Sequence, residues 1–296
     1  MRYRQLIITE PVANLRALAR QGLKDRWGDA FLKGLIYILM ITLPIMMIYA
    51  LSGWIGIPGD NMSRLTEAYA DFLHGAISQN EYIKTVSELS NGAYSWLYEL
   101  LVSGALMFGV MAVFLRYRRR QEAPTGMLFS GFSHYSRSLA LFLLMAIFTL
   151  LWTMLFIIPG IIAAYRYRLA FFILIDNPDT GPLEALNISK ELMRGNKWKL
   201  FCLDLSFIGW AIVAVFINVL ITMPLSAMVT LASPSSIITG SSLAYTVLVS
   251  LASAVTMGLL YMYIGTATAA FYERASGLLK YTDEVVAPAP HVPPPQ

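Results

Sequence analysis

Apolar residues along this chain come in long unbroken runs, and the polar positions gather between them. A helix crosses a bilayer with about 20 apolar residues, so the pattern predicts spans near 31–55, 97–115, 139–158, 161–175, 200–231 and 243–272. The fourth is short and carries Arg166 and Arg168. Its flanks decide whether it crosses. Seven Lys and Arg residues lie in 1–33, five in 116–137, four in 176–199 and two after 272, eighteen of the chain's 22. Cytoplasmic flanks of membrane proteins carry the excess of positive charge. With six spans all four basic segments share that side, whereas with five the group Lys190, Arg194, Lys197 and Lys199 falls outside. The expected fold is therefore all-α: a polytopic helical membrane protein of six transmembrane helices in three hairpins, with cytoplasmic amphipathic helices and both termini cytoplasmic.

The polar stretches predict helices of their own. Residues 1–30 read as a cytoplasmic amphipathic N-terminal segment, 31–278 as the six-span membrane domain with a helical external loop at 58–96, and 279–296 as a disordered proline-rich tail. In the first segment Val12, Leu15, Leu18, Ala19, Gly22 and Leu23 share one helical arc and Arg16, Arg20 and Lys24 another, predicting a helix lying in the membrane interface. A second such helix follows Asp176. Pro182 suits its first turn, Gly195-Asn196 its stop, and Ala185, Leu186, Ser189, Leu192 and Met193 separate from Glu184, Asn187, Lys190, Glu191 and Arg194. Residues 19–24 can be laid on 189–194, and Phe31 on Phe201, at a constant offset. The lipid-headgroup candidates are Arg16, Arg20, Lys24, Lys190, Arg194 and Lys197, each cation drawing anionic lipid by about 1 kcal/mol when near the surface. In the external loop Ser78-Gln79-Asn80-Glu81 has capping-box spacing, and Leu65, Tyr69, Phe72 and Leu73 are helically spaced, predicting a pair of short helices.

Composition agrees and narrows the chemistry. Hydrophobic residues make up 57% and charged residues 14%, with mean hydropathy +0.59, far from a soluble domain in which about a quarter is charged. The start of the chain has no long apolar core with a small-residue cleavage site, so no removable signal peptide is expected. The single cysteine, Cys202, forms neither a disulfide framework nor a thiolate metal site. The histidines, His74, His134 and His291, fall on an outer loop, an inner loop and the tail, so no catalytic, metal or cofactor site is expected and no nucleic-acid partner is implied. Asp176 and Asp179 read as helix caps beside Pro178 and Pro182.

That leaves the intramembrane charges. Two arginines near a span centre cost about 5 to 7 kcal/mol on insertion scales, more than their apolar neighbours return. Pro159 and Gly160 predict a hairpin turn folding the fourth span against the third. At 1.5 Å per residue Arg168 lies about 12 Å from Asp176 and Asp204 about 8 Å from Lys199, so the two can meet. Glu99 is the candidate acid for Arg166. Residues two apart on a helix point about 200° apart, so both arginines cannot line one pore. Small residues at Ser250, Ala254 and Gly258, and at Ala105 and Gly109, predict close helix packing.

The stretches IIPGIIAAYRYRLAFFILIDNP and ALNISKELMRGNKWKLFCLDLSFIGW resemble the signature of an uncharacterised bacterial membrane family, domain of unknown function nine hundred and seventy-five, through Ile158 to Gly160, Asp176 to Pro178, Ser189 to Gly195 and Leu205 to Trp210. The chain more distantly resembles YciC-like proteins and the membrane domain attached to some glycerophosphodiester phosphodiesterases. No catalytic domain accompanies it, so that activity does not carry over. The resemblance implies a multi-pass location in the bacterial cytoplasmic membrane. Two functions are expected from different classes: a non-enzymatic scaffold or accessory protein binding anionic membrane lipids or a membrane protein partner, and a transporter or channel component with a polar cavity around Arg166 and Arg168. Oligomeric state stays open.

Overall fold

Long apolar runs satisfy their backbone groups internally by forming helices, and helices are what the computed structural model contains over the residues it describes, 6–54, 61–89, 93–232 and 241–278. They are α1 (Val12–Leu23), α2 (Trp27–Trp54), α3 (Asn61–Leu73), α4 (Gln79–Leu89), α5 (Ala93–Arg118), a 3-10 turn (Thr125–Phe129), α6 (Ser130–Ser133), α7 (Tyr135–Leu155), α8 (Ile157–Tyr167), α9 (Ala170–Asp176), α10 (Pro182–Leu192), α11 (Lys197–Leu205), α12 (Ile208–Ala232) and α13 (Ser241–Ala275). Among the described residues five stretches are long and apolar enough to cross a membrane: Tyr98–Arg118, Tyr135–Leu155, Ile157–Asp176, Lys197–Pro224 and Leu248–Ala275. The proline-rich tail at 279–296 lies outside the described residues, as do 55–60, 90–92 and 233–240 of the loops.

The core sits where α5, α9 and α13 meet. Phe114, Tyr117, Phe171, Phe172, Phe271 and Tyr272 are buried there, and Phe172 stacks on Tyr272 with ring centroids 5.4 Å apart. By contrast α7 and α12 turn Ile147, Leu151, Met154, Ile212, Phe216 and Leu220 outward. Exposed apolar surface on that scale is what a bilayer or partner covers.

Close approaches hold the helices together, and glycine permits them. Gly34 of α2 packs on Gly258 of α13, beside the stacked pair Tyr37 and Tyr261 at 5.1 Å. Ala105 and Gly109 of α5 receive the short elements before α7: a Cβ on Gly109 would overlap the Leu128 backbone, and one on Gly131 the Ala105 backbone. Both small-residue stripes therefore serve packing within the chain. Gly109→Ala is expected to destabilise by about 1–3 kcal/mol, the cost of overpacking. Gly28→Ala, which meets nothing within 4 Å, should show no such loss in the same thermal-unfolding measurement.

The amphipathic helices have the predicted faces. α1 buries Leu15, Leu18, Ala19, Gly22 and Leu23; α10 buries Ala185, Leu186, Ser189 and Leu192 with Met193 following, starts at Pro182 and stops before Gly195 at φ +83°. Their apolar arcs, however, are spent inside the chain: α1 packs on α5, α11 and α13, and α10 on α7, α8 and α9. For α1 this corrects the picture of a helix laid on the interface by its apolar side. The weak internal repeat gains support from the backbone. At the offset of 170, the starts of α1 and α10 coincide at 12 and 182, the left-handed residues Asp25 and Gly195 coincide, and so do the starts of α2 and α11 at 27 and 197.

The polar stretch after α2 forms the pair α3 and α4. Ser78 Oγ accepts from the Glu81 amide at 3.3 Å while the Ser78 amide donates to Glu81 Oε2 at 2.9 Å, closing the capping box. The Ser78 amide, with the Ser78 hydroxyl donating to the same Oε2 at 2.9 Å, holds the Glu81 carboxyl below its usual pKa.

Candidate functional site

Two of the five stretches long and apolar enough to cross a membrane are broken, and the breaks meet. α8 ends at Tyr167, Arg168 and Leu169 carry the chain across, and α9 begins at Ala170. The Arg166 carbonyl, left over at the break, accepts from Ser189 Oγ of α10 at 2.8 Å. α11 ends at Leu205, and after Ser206 and Phe207 the chain continues as α12. There the Ser206 carbonyl accepts from Arg16 of α1 at 3.4 Å. Side chains from both amphipathic helices thus satisfy backbone groups that the breaks expose, which a bilayer could not satisfy.

Between the breaks, Arg168 Nη2 lies 3.8 Å from Asp204 Oδ1. Tyr165 OH donates to Asp204 Oδ2 at 3.0 Å, held by an edge contact with Phe201. The distance makes Arg168 and Asp204 an ion pair without hydrogen-bond geometry, and Asp204 Oδ1 accepts no hydrogen bond. The side chains are 40% and 24% exposed. In water such a pair would be worth about 0–1 kcal/mol. Against hydrocarbon the unpaired alternative costs about 2.5–3.5 kcal/mol per charge, so the pair counts wherever hydrocarbon surrounds it.

Arg166 does not find Glu99. Glu99 is exposed on α5, and Arg166 makes no ion pair among the described residues. Depth separates them. Arg119, one residue beyond α5, joins Asp176 at the end of α9 through two hydrogen bonds of 2.8 and 2.7 Å. Counting from that shared level, Arg166 stands about 15 Å away and Glu99 about 30 Å. The turn also moves: the α7–α8 break falls at the extended residue Phe156, and Pro159 and Gly160 lie in the first turn of α8. Gly160 seats that turn against Thr153, and Phe148 meets Tyr167 further along, so α7 and α8 run antiparallel.

A charge cluster that the spans alone do not reveal joins α5, α9 and α13. Glu273 of α13 meets Arg118 Nε at 3.2 Å and Arg119 Nε at 2.9 Å, and Tyr272 OH donates to Asp176 Oδ2 at 3.0 Å. Burial opposes the Arg119 charge, but Asp176 and Glu273 outweigh it and raise its pKa. Asp176 is thus an ion-pair partner, not a cap; the residue before α10 is Gly181. Alongside, buried Lys33 pairs with Asp29, whose other oxygen accepts from Tyr117 OH at 2.8 Å. No group of histidine, cysteine, aspartate and glutamate suited to a metal occurs among the described residues.

The headgroup candidates divide. Arg16 is taken up at Ser206, and Lys190 donates to Asn187 at 3.0 Å while its ammonium lies 6.0 and 5.9 Å from the Phe148 and Tyr167 rings. Arg20 and Lys24 stay exposed and, with Ala17, Gln21 and Trp27, line an open cleft of about 400 Å³. Arg194 is exposed, and Lys197 precedes Trp198, which is 72% exposed.

Residues 154–278 match the family model described as Protein of unknown function (DUF975). No curated protein and no solved structure matches the chain. The family match covers both helix breaks, Arg168, Asp204 and Glu273, and does not extend to the two more distant resemblances.

Proposed function

We propose that this chain, which belongs to the DUF975 family through residues 154–278, is a multi-pass protein of the bacterial cytoplasmic membrane that acts without catalysis, as a scaffold or accessory protein holding anionic lipid at its basic surface. The observation that carries this reading is the cleft of Arg20, Lys24 and Trp27. Because α1 spends its apolar arc on α5 and α13, these cations face outward, and an exposed tryptophan beside them belongs at headgroup level. α2, with 28 residues, supplies a sixth span. The hairpins are then α2 with α5, α7 with α8 and α9, and α11 and α12 with α13, each entered from the cytoplasm, which places both termini and α10 on that side.

Lipids retained by the purified protein test this directly. Wild type should be enriched in anionic lipid over the bulk membrane, and Arg20→Gln with Lys24→Gln should lower the enrichment; equal enrichment in both would sink the reading. For orientation, an impermeant maleimide should label Lys84→Cys in intact spheroplasts and Arg120→Cys only after lysis, both in a Cys202→Ser background.

The meeting of two helix breaks at Arg168 and Asp204 favours a second reading, a transporter or channel component, since discontinuous helices build substrate sites in transporters. It requires a wet cavity at Arg166 or Arg168, and the ion pair and the Tyr165 hydrogen bond support a structural role for Asp204 instead.

A further inference from the structure

A second basic pocket lies away from the α1 cleft, between the end of α5, the short elements before α7 and the end of α9. Its volume is about 330 Å³, at the lower end for small-molecule sites. Phe108, Met127 and Leu174 belong to an apolar floor, while Arg116, Arg137 and Ser130 bring polar groups. Arg119 also reaches it but is already committed to Asp176 and Glu273.

The other two arginines are differently placed. Arg116 Nη1 donates to the Glu122 carbonyl at 3.5 Å, and Arg137 Nη1 to the Pro178 carbonyl. Neither pairs with a carboxylate among the described residues, so two guanidinium charges share one pocket without an anion. Ser130 Oγ is buried there and has no hydrogen-bond partner. A buried hydroxyl ordinarily finds one, and an anion between the arginines would provide it.

The pocket's surroundings indicate where that anion comes from. Phe129 and Phe132 on the short elements and Tyr135 at the start of α7 are exposed, and Phe132 stacks on Tyr135 at 6.4 Å. An exposed tyrosine beside arginines belongs at the boundary between hydrocarbon and headgroups, and exposed phenylalanines next to it suit the hydrocarbon side.

We propose that this pocket binds the phosphate of an anionic phospholipid. Arg116 and Arg137 clamp its oxygens, Ser130 donates a hydrogen bond, and the apolar floor takes the first carbons of the lipid. The site rests on the membrane reading above but uses different residues from the α1 cleft.

Native mass spectrometry of the full chain in non-ionic detergent, titrated with dioctanoyl phosphatidylglycerol, tests it. Wild type should hold one lipid tightly, and the zwitterionic dioctanoyl phosphatidylcholine should bind far more weakly. Arg116→Gln with Arg137→Gln should weaken the phosphatidylglycerol complex at least about ten-fold, since charge-assisted arginine–phosphate bonds are the strong ones. Ser130→Ala, a minimal change should the double variant fold poorly, should weaken it several-fold, and Arg20→Gln with Lys24→Gln should leave the tight complex unchanged. Unchanged tight binding in the folded Arg116/Arg137 or Ser130 variant overturns the proposal, as does equal binding of phosphatidylcholine. Inorganic phosphate displacing the lipid at comparable concentration would overturn the lipid and leave a free-phosphate site. Tight binding lost only in the Arg20/Lys24 variant overturns this pocket while sustaining the α1 cleft; no phosphatidylglycerol binding at all overturns both.

Discussion

Glu273→Leu is expected to destabilise the protein by about 3–5 kcal/mol, the loss seen when one partner of a buried ion pair is removed. Glu273 is 8% exposed and faces Arg118, 4% exposed, at 3.2 Å and Arg119 at 2.9 Å. Leucine takes away the carboxylate and leaves both guanidinium charges in place. Arg119 keeps Asp176. Glu273→Gln retains the shape and one acceptor and should cost less. Thermal unfolding in detergent should rank wild type above Glu273→Gln and Glu273→Leu last. A leucine variant within about 1 kcal/mol of wild type would show the cluster to be of little structural weight.

The second large effect is expected at Asn196. Its side chain is fully buried and works as a substitute strand edge for the start of the chain. Its Oδ1 accepts from the Ile8 amide at 2.9 Å, and its Nδ2 donates to the Leu6 carbonyl at 2.8 Å and the Leu192 carbonyl at 2.9 Å. The Leu6 amide in turn donates to Ala275 at 3.0 Å, and Arg274 meets Glu10 at 3.3 Å. Asn196→Ala removes three bonds together. A buried group left unsatisfied costs about 1–3 kcal/mol, and water reaching the exposed Leu6 recovers part, so a loss of about 2–4 kcal/mol is expected. The distinguishing result is local. Amide exchange at Leu6 and Ile8 should accelerate more than in the α5 core; uniform acceleration would mean that Asn196 does not act through this clasp.

Features set by local periodicity were legible in the sequence. The faces of α10, the Pro182 start, the Gly195 stop and the Ser78–Glu81 box each depend on residues within a few positions of one another. Arg168 and Asp204 were legible for another reason: both lie a countable distance from the basic ends of their spans, and helical rise converts that count into depth. The same count fails for Arg166 and Glu99 because the sequence gives this base and this acid no common level, which the Arg119–Asp176 pair supplies. In the sequence Arg118 and Lys33 are flanking charges, and nothing singles out Glu273. Nothing local distinguishes a solvated flank from a buried ion cluster when its members come from α2, α5, α9 and α13. Asn218 was likewise hidden inside an apolar run, yet its amide donates to Ser253 at 3.0 Å and Thr256 at 3.2 Å across the α12–α13 contact. The turn at Phe156 escaped because Pro159 and Gly160 are strong turn residues that also suit the first turn of a helix.

The central claim is that the charge at membrane depth is structural and the binding surface lies elsewhere. A double-mutant cycle on Arg168 and Asp204, read as thermal stability in lipid nanodiscs, tests it most directly. Arg168→Leu and Asp204→Leu should each lower the unfolding temperature, because each strands the opposite charge. The double variant should recover most of that loss, with a clear favourable coupling between the sites. Additive losses in the double variant, or loss of folding in the double but not the singles, would contradict a structural pair and return Arg168 to the candidates for a polar pathway.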